Sequence, residues 1–155
     1  MSKKIIFISD FYYPEFVGGA ELNDYSLITR LILSARVEVW KKKCSKVNIS
    51  FMKENKEANF TVSNFVTLSE ECKDYLKDHC AYVIYEHDHK CLKERNPIFY
   101  YDFHATKEEL SDFCFYKHAK AVICLTQIVV DVFKKNTGLS NVVKIGASVW
   151  RDSGL

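Results

Sequence analysis

Three short apolar runs constrain this chain more than any other feature. Residues 4–9 (KIIFIS), 81–85 (AYVIY) and 121–125 (AVICL) are rich in β-branched and aromatic side chains and nearly devoid of polar ones. A strand with one wet face alternates polar and apolar residues, whereas an unbroken apolar run needs cover on both faces. Helical patterns separate the runs. Residues 20–33 carry apolar side chains at 20, 27, 28, 31 and 32. Ser69 is placed to cap a helix over 69–76, with Glu70 and Glu71 at the positive end of its dipole. Thr106 and Glu109 have capping-box spacing and predict a helix running to about His118. Thr126 should cap another that reaches about Asn136, with Gly138 in the position of a C-terminal glycine. Weaker strand patterns cover 37–40, 60–62 and 142–145. Such alternation predicts an α/β fold: a single Rossmann-like domain with a doubly wound parallel sheet. The three apolar runs should be interior strands. Ligands of such sheets sit at the carboxyl ends of the strands, which directs attention to Ser9-Asp10, Glu86-His87 and Thr126-Gln127.

At 155 residues the chain suits one domain with its own core. Apolar residues make up 48% and charged ones 27%, a balance that excludes a disordered chain. The net charge of +2 supplies no field to recruit nucleic acid, and Lys41, Lys42, Lys43 and Lys46 read as a solvated strand end. Ile5–Ile8 after Lys3-Lys4 is too short for a signal peptide, and no stretch approaches the roughly 20 apolar residues of a membrane span. None of the six cysteines forms a C-x-x-C pair; Cys124 in a strand and Cys114 in a helix read as buried free thiols, which suits a cytoplasmic setting.

The segment FYYPEFVGGAE (11–21) places two of the five glycines side by side where a helix should begin. Missing side chains let a phosphate approach the backbone, and the free N–H groups of a helix N-terminus point at it. Nine positions separate Ser9 from Gly18, too many for the tight turn of the dinucleotide fingerprint G-x-G-x-x-G, which is absent. EHDHKC (86–91) is the densest polar cluster. His87, His89 and Cys91 are metal-ligating types, but residues two apart in an extended segment cannot complete a tetrahedral set, and no further ligand is apparent, so no metal is assigned. The plain alternative is a polar loop of satisfied hydrogen bonds. His104 lies in FYYDFHA (99–105), whose aromatic faces suit either sugar rings or a core.

FYYPEFVGGAE after a first strand resembles the P-x-x-G-G-A-E segment of GT-B glycosyltransferases of the family 4 kind. Pro14, Gly18, Gly19, Ala20 and Glu21 match, with one extra residue before the glycines. YVIYEHDH (82–89) resembles that family's strand ending at a cleft histidine. FYKHAKAVICLTQIVVDVF (115–133) resembles its A-x-x-V-I-x-x-S strand and helix, with Thr126 in place of serine. NVVKIGASVW (141–150) stands where the family has its last N-terminal-domain strand, with Gly146-Ala147-Ser148 replacing P-N-G.

The resemblance implies that residues 1–155 are the N-terminal, acceptor-side domain of a retaining glycosyltransferase, with the C-terminal donor-binding domain absent from this chain. It implies a nucleotide-diphosphate-sugar donor, a sugar or glycan acceptor and no essential metal or other cofactor. Gly18 and Gly19 would face the donor phosphates and His87 would hold the transferred sugar. Asp10, Glu21, Asp88, His89, His104 and Thr126 would line the acceptor cleft or hold its loops. Glu86 and Glu94 have the Glu-x7-Glu spacing of the family's donor-binding half, but among eleven glutamates, and after an N-domain strand, the match reads as chance. The ending WRDSGL carries no terminating motif and reads as a truncation. A non-catalytic sugar- or nucleotide-binding α/β domain is the rival reading, and a Rossmann oxidoreductase is disfavoured by the missing fingerprint.

Overall fold

A computed structural model describes residues 3–146. Six strands form one parallel sheet in the order β2-β1-β3-β4-β5-β6. The strands are β1 (Lys3–Ser9), β2 (Val37–Lys43), β3 (Asn59–Val62), β4 (Ala81–Glu86), β5 (Val122–Cys124) and β6 (Val142–Lys144). The helices are α1 (Gly19–Leu33), α2 (Ile49–Glu54), α3 (Glu70–His79), α4 (Phe113–His118) and α5 (Gln127–Thr137). This is the α/β architecture expected. The apolar runs are interior strands: Ile6, Phe7 and Ile8 are wholly inaccessible to solvent, as are Ile84, Val122 and Cys124. The weak pattern at 60–62 belongs to a strand just as interior, with Phe60 and Val62 in the core.

The chain divides into two compact units, residues 3–82 and 83–146. In the first, β1 pairs with β2 on one side and β3 on the other, Ile5 to Ile8 lying opposite Asn59 to Val62. The direction of winding therefore reverses at β1. With right-handed crossovers the reversal puts α1 on one face and α2 and α3 on the other, and α2 and α3 do touch. The sequence reading contained no helix at 49–54. Asn48 starts one by accepting a hydrogen bond from the Phe51 N–H at 2.9 Å.

In the second unit, Thr126 caps α5 and Gly138 closes it in the left-handed conformation (φ 67°), as expected. The helix expected from Thr106 to His118 is broken. Thr106 and Glu109 do form a capping box, but over one 3-10 turn at Lys107–Glu109. Leu110 then pairs with Leu92, while Lys93 N–H and Ser111 N–H bond Glu109 and Cys91 carbonyls, so 109–111 is held extended. Asp112 turns the chain at φ 54° before α4 begins. Cys114, on α4, is exposed rather than buried, because that helix turns Phe115 and Tyr116 inward. All six thiols are free. Ala147-Ser148 and the terminal WRDSGL lie outside the described residues.

Candidate functional site

In the first unit the reversal point lies at β1, and the loop leaving β1 there is the glycine loop, 10–18. Its root is rigid. The Asp10 N–H donates to the Asn64 carbonyl at 2.8 Å. The buried Asp10 carboxylate accepts from Val66 N–H at 2.8 Å, Thr67 N–H at 3.0 Å and the Thr67 hydroxyl. Asp10 thus ties the β1 loop to the β3–α3 loop. The Tyr12 hydroxyl donates to the Phe7 carbonyl at 2.6 Å and accepts from Lys42 N–H at 3.3 Å, and burial lifts its phenol far above the ordinary range.

Beyond that root the side chains face solvent. Phe11 and Phe16 stack with ring centroids 5.3 Å apart and planes 29° apart, while 45% and 52% exposed. Tyr13 and Tyr25 make a second ring pair at 5.0 Å. Glu15 is held by Lys43 at 2.5 Å.

Gly18 is the N-cap of α1 and Gly19 its first residue. Gly18 has an extended backbone (φ −143°) that any residue adopts, so space, not conformation, explains the glycine. A Cβ there would lie 2.5 Å from Glu21 Oε2 and 3.4 Å from Phe16 Cε1. Glu21 is buried, and its Oε1 accepts from Asn64 Nδ2 at 3.3 Å. The carboxylate therefore stands over the helix N-terminus, where a phosphate would approach Gly18. Above Gly19 the space is open, with no atom within 4 Å of a Cβ placed there.

In the second unit EHDHKC closes on itself. Glu86, at the end of β4, is 1% exposed and accepts from Lys90 Nζ at 2.5 Å, from the Tyr116 hydroxyl and from Asp88 N–H at 3.2 Å. Lys90 also donates to Asp88 Oδ1 at 2.9 Å, and Asp88 Oδ2 takes the Arg95 guanidinium. Burial alone would raise the Asp88 carboxyl; the charges and hydrogen bonds of Lys90 and Arg95 outweigh it and hold Asp88 at about 2. Burial opposes the Lys90 charge, but Glu86 and Asp88 reverse the sign and keep Lys90 protonated. Tyr116 is raised by burial and then by Glu86. His89, half-buried, is shifted down by burial against the pull of Glu86 and Asp88. His87 meets the Tyr85 ring edge-on at 4.3 Å. Asp88 is tied within its loop to Lys90 and Arg95. Lys90, Arg95 and Tyr116 had no role in the sequence reading; Lys90 stands inside the quoted cluster, but nothing local announces that it is buried.

His104 is exposed and ends a 3-10 turn at Tyr101–Phe103. Thr126 Oγ1 accepts from Val129 N–H at 3.4 Å and so caps α5. Around His104 the side chains of Ile98, Phe99, Tyr101 and Phe103 point outward. Their loop is pinned to α5: Asn136 accepts from Ala105 N–H at 2.8 Å and donates to the Phe103 carbonyl at 2.9 Å, and Lys135 binds Asp102 at 2.6 Å. No group of three His, Cys, Asp or Glu side chains among the described residues is arranged to hold a metal. A cavity of about 410 Å³ opens at the opposite, amino ends of β1 and β3, lined by Lys3, Lys4, Glu54, Asn55, Glu57, Ala58 and Asn59. Its lining carries charged and amide side chains and, Ala58 apart, no apolar residue.

No protein-family model matches the chain, and no curated protein is significantly similar to it. No helix among the described residues is long and apolar enough to cross a membrane.

Proposed function

We propose that the chain is the acceptor-side half of a retaining glycosyltransferase of the GT-B kind, drawing its nucleotide-sugar donor from a separate domain or subunit. One observation carries the reading. A long glycine loop leaves β1 where strand order reverses, the place where open α/β sheets bind their ligands, and its tip presents stacked aromatic rings. The order of the glycine loop, the histidine-ended β4 and the V-I-C strand with its capped helix supports it. In this reading His87 hydrogen-bonds the transferred sugar, and catalysis rests on positioning and on stabilising the leaving phosphate rather than on a protein nucleophile. Glu21 favours the sugar-binding form of the second reading, a non-catalytic sugar- or nucleotide-binding domain. Its carboxylate already occupies the approach to Gly18.

Co-expression with a domain bearing the Glu-x7-Glu signature, encoded in the adjoining frame, tests the proposal: transfer is expected from the pair and not from this chain alone. Calorimetry separates the two readings. The chain alone should bind nucleotide-sugars with Kd on the order of millimolar, about −4 kcal/mol, because it meets few donor groups against an association cost of about 4–15 kcal/mol. Micromolar affinity for any nucleotide-sugar would overturn the half-enzyme reading in favour of a self-sufficient binding module.

A further inference from the structure

We infer that the loop 98–103 is the contact face of a symmetric dimer, its occupant a second copy of this chain. Four of its six side chains are apolar and exposed: Ile98 at 68%, Phe99 at 67%, Tyr101 at 96% and Phe103 at 49%. Tyr100 turns inward, its hydroxyl accepting from Glu94 N–H at 3.3 Å. The loop does not fold over its own apolar side chains because it is fixed. Lys135 Nζ bonds both the carbonyl and the carboxylate of Asp102 at 2.6 Å, and Asn136 spans the Phe103 carbonyl and the Ala105 N–H. These bonds hold Asp102 and Phe103 in succession in the left-handed region, at φ 50° and 55°. That conformation is unfavourable for a bulky aromatic residue. The strain is kept, and its product is a preorganised apolar face.

The inference does not depend on the glycosyltransferase reading. α5 leaves the carboxyl end of β5 and returns to the amino end of β6, so its last turn holds the loop at the amino ends of these strands. Glu86 and His87 lie at the carboxyl end of β4, which runs parallel to β5. Pairing through the loop leaves that end open on both copies. Area and charge both suit a copy of the same face. A buried aromatic side chain covers about 150–250 Å², so at their exposures Phe99, Tyr101 and Phe103 leave about 300–500 Å² to be covered, before Ile98 is counted. Two such faces approach the roughly 1,000 Å² of a weak but specific interface, with the rim still to add. In 93–108 the exposed charges are Lys93, Arg95 and Lys107 against Glu94, Asp102 and Glu108. A two-fold contact must complement itself, and a surround of both signs does so where a single sign would repel. The same balance gives an anionic bilayer no net charge to attract.

Sedimentation equilibrium of the whole chain, from micromolar to millimolar concentration, tests this. A monomer–dimer equilibrium is expected, with Kd inside that range. Phe99→Ser and Tyr101→Ser, each altered only at an exposed side chain, should keep the wild-type thermal midpoint and raise Kd about tenfold or more. Hydrogen exchange of the wild type should slow at 98–103 as concentration rises. A chain that stays monomeric up to millimolar concentration would overturn the inference, as would a dimer whose Kd neither variant changes. Vesicles of phosphatidylcholine with phosphatidylserine are the remaining probe. Binding of the monomer to them, lost in Tyr101→Ser, would make the face a lipid contact and overturn the dimer.

Discussion

Gly18 and Gly19 are adjacent, identical and differently constrained. Alanine at Gly18 would drive its methyl group into the Glu21 carboxylate and loosen the Asn64 contact, a loss of about 1–3 kcal/mol. Alanine at Gly19 meets open space at a helical position with negative φ and should be neutral or stabilising by about 0.4–1 kcal/mol. Urea titration of the two variants checks the order; equal costs would show that Glu21 does not hold its place over Gly18. A second contrast lies in the Glu86–Lys90 pair, both partners almost wholly buried. Glu86→Gln leaves Lys90 undercompensated and should cost about 3–5 kcal/mol, whereas Glu86→Gln with Lys90→Met should cost less than the sum of the singles. Additive costs would mean that the pair is not coupled. Asp88 makes the network sensitive to acid. Its folded pKa of about 2 lies below its unfolded value, so its contribution is present above about pH 4 and is lost as pH falls through the folded value. Asp88→Asn should therefore be less stable than wild type at pH 6 and approach it towards pH 2, as read from urea midpoints across that range.

At the scale of elements, caps decide where helices start, and side-chain bonds decide what a loop becomes. Asn48, Ser69 and Thr126 each accept from a backbone N–H of the first turn of α2, α3 and α5. The cap at Asn48 matters most in proportion, because α2 has only six residues. Asn136 has a different task, fixing the apolar loop 98–103 to α5 through the Phe103 carbonyl and the Ala105 N–H. Asn136→Ala should cost about 1–3 kcal/mol. It should also speed hydrogen exchange at Ala105 well beyond the change in global stability, as measured by mass spectrometry. Unchanged local protection would show that the Lys135–Asp102 bridge suffices to hold the loop.

At the scale of the whole molecule, the edge strands of the sheet among the described residues are β2 and β6. β2 is the longer and carries the exposed Trp40. Edges of this kind template pairing with other chains unless charges blunt them, and Glu38 and Lys41 are the exposed charges on β2. Replacing both with valine should leave the fold intact and raise self-association. Light scattering against concentration measures it. A monomeric double variant would show that another feature guards the edge.

The parallel sheet was legible because interior strands have few polar positions to spare: Lys4 and Ser9 apart, 4–9, 81–85 and 121–125 hold only apolar and aromatic side chains. Helix starts at Ser69 and Thr126 were legible for a similarly local reason, since a cap lies within three residues of the N–H groups it serves. The break at 110–112 was not legible, because it arises from Leu92 pairing with Leu110, partners eighteen positions apart. The site divides along the same line. The glycine loop and EHDHKC were visible as composition, but Glu21 faces Gly18 only because Asn64, from the β3–α3 loop, fixes its other oxygen. Lys90 becomes a buried cation only because β4 places Glu86 beneath it and α4 brings in Tyr116. Backbone covering and capping act over a few residues and are written in the sequence; how the charged side chains of each candidate site are buried and held depends on partners, Asn64 and Tyr116, that only the fold brings to them.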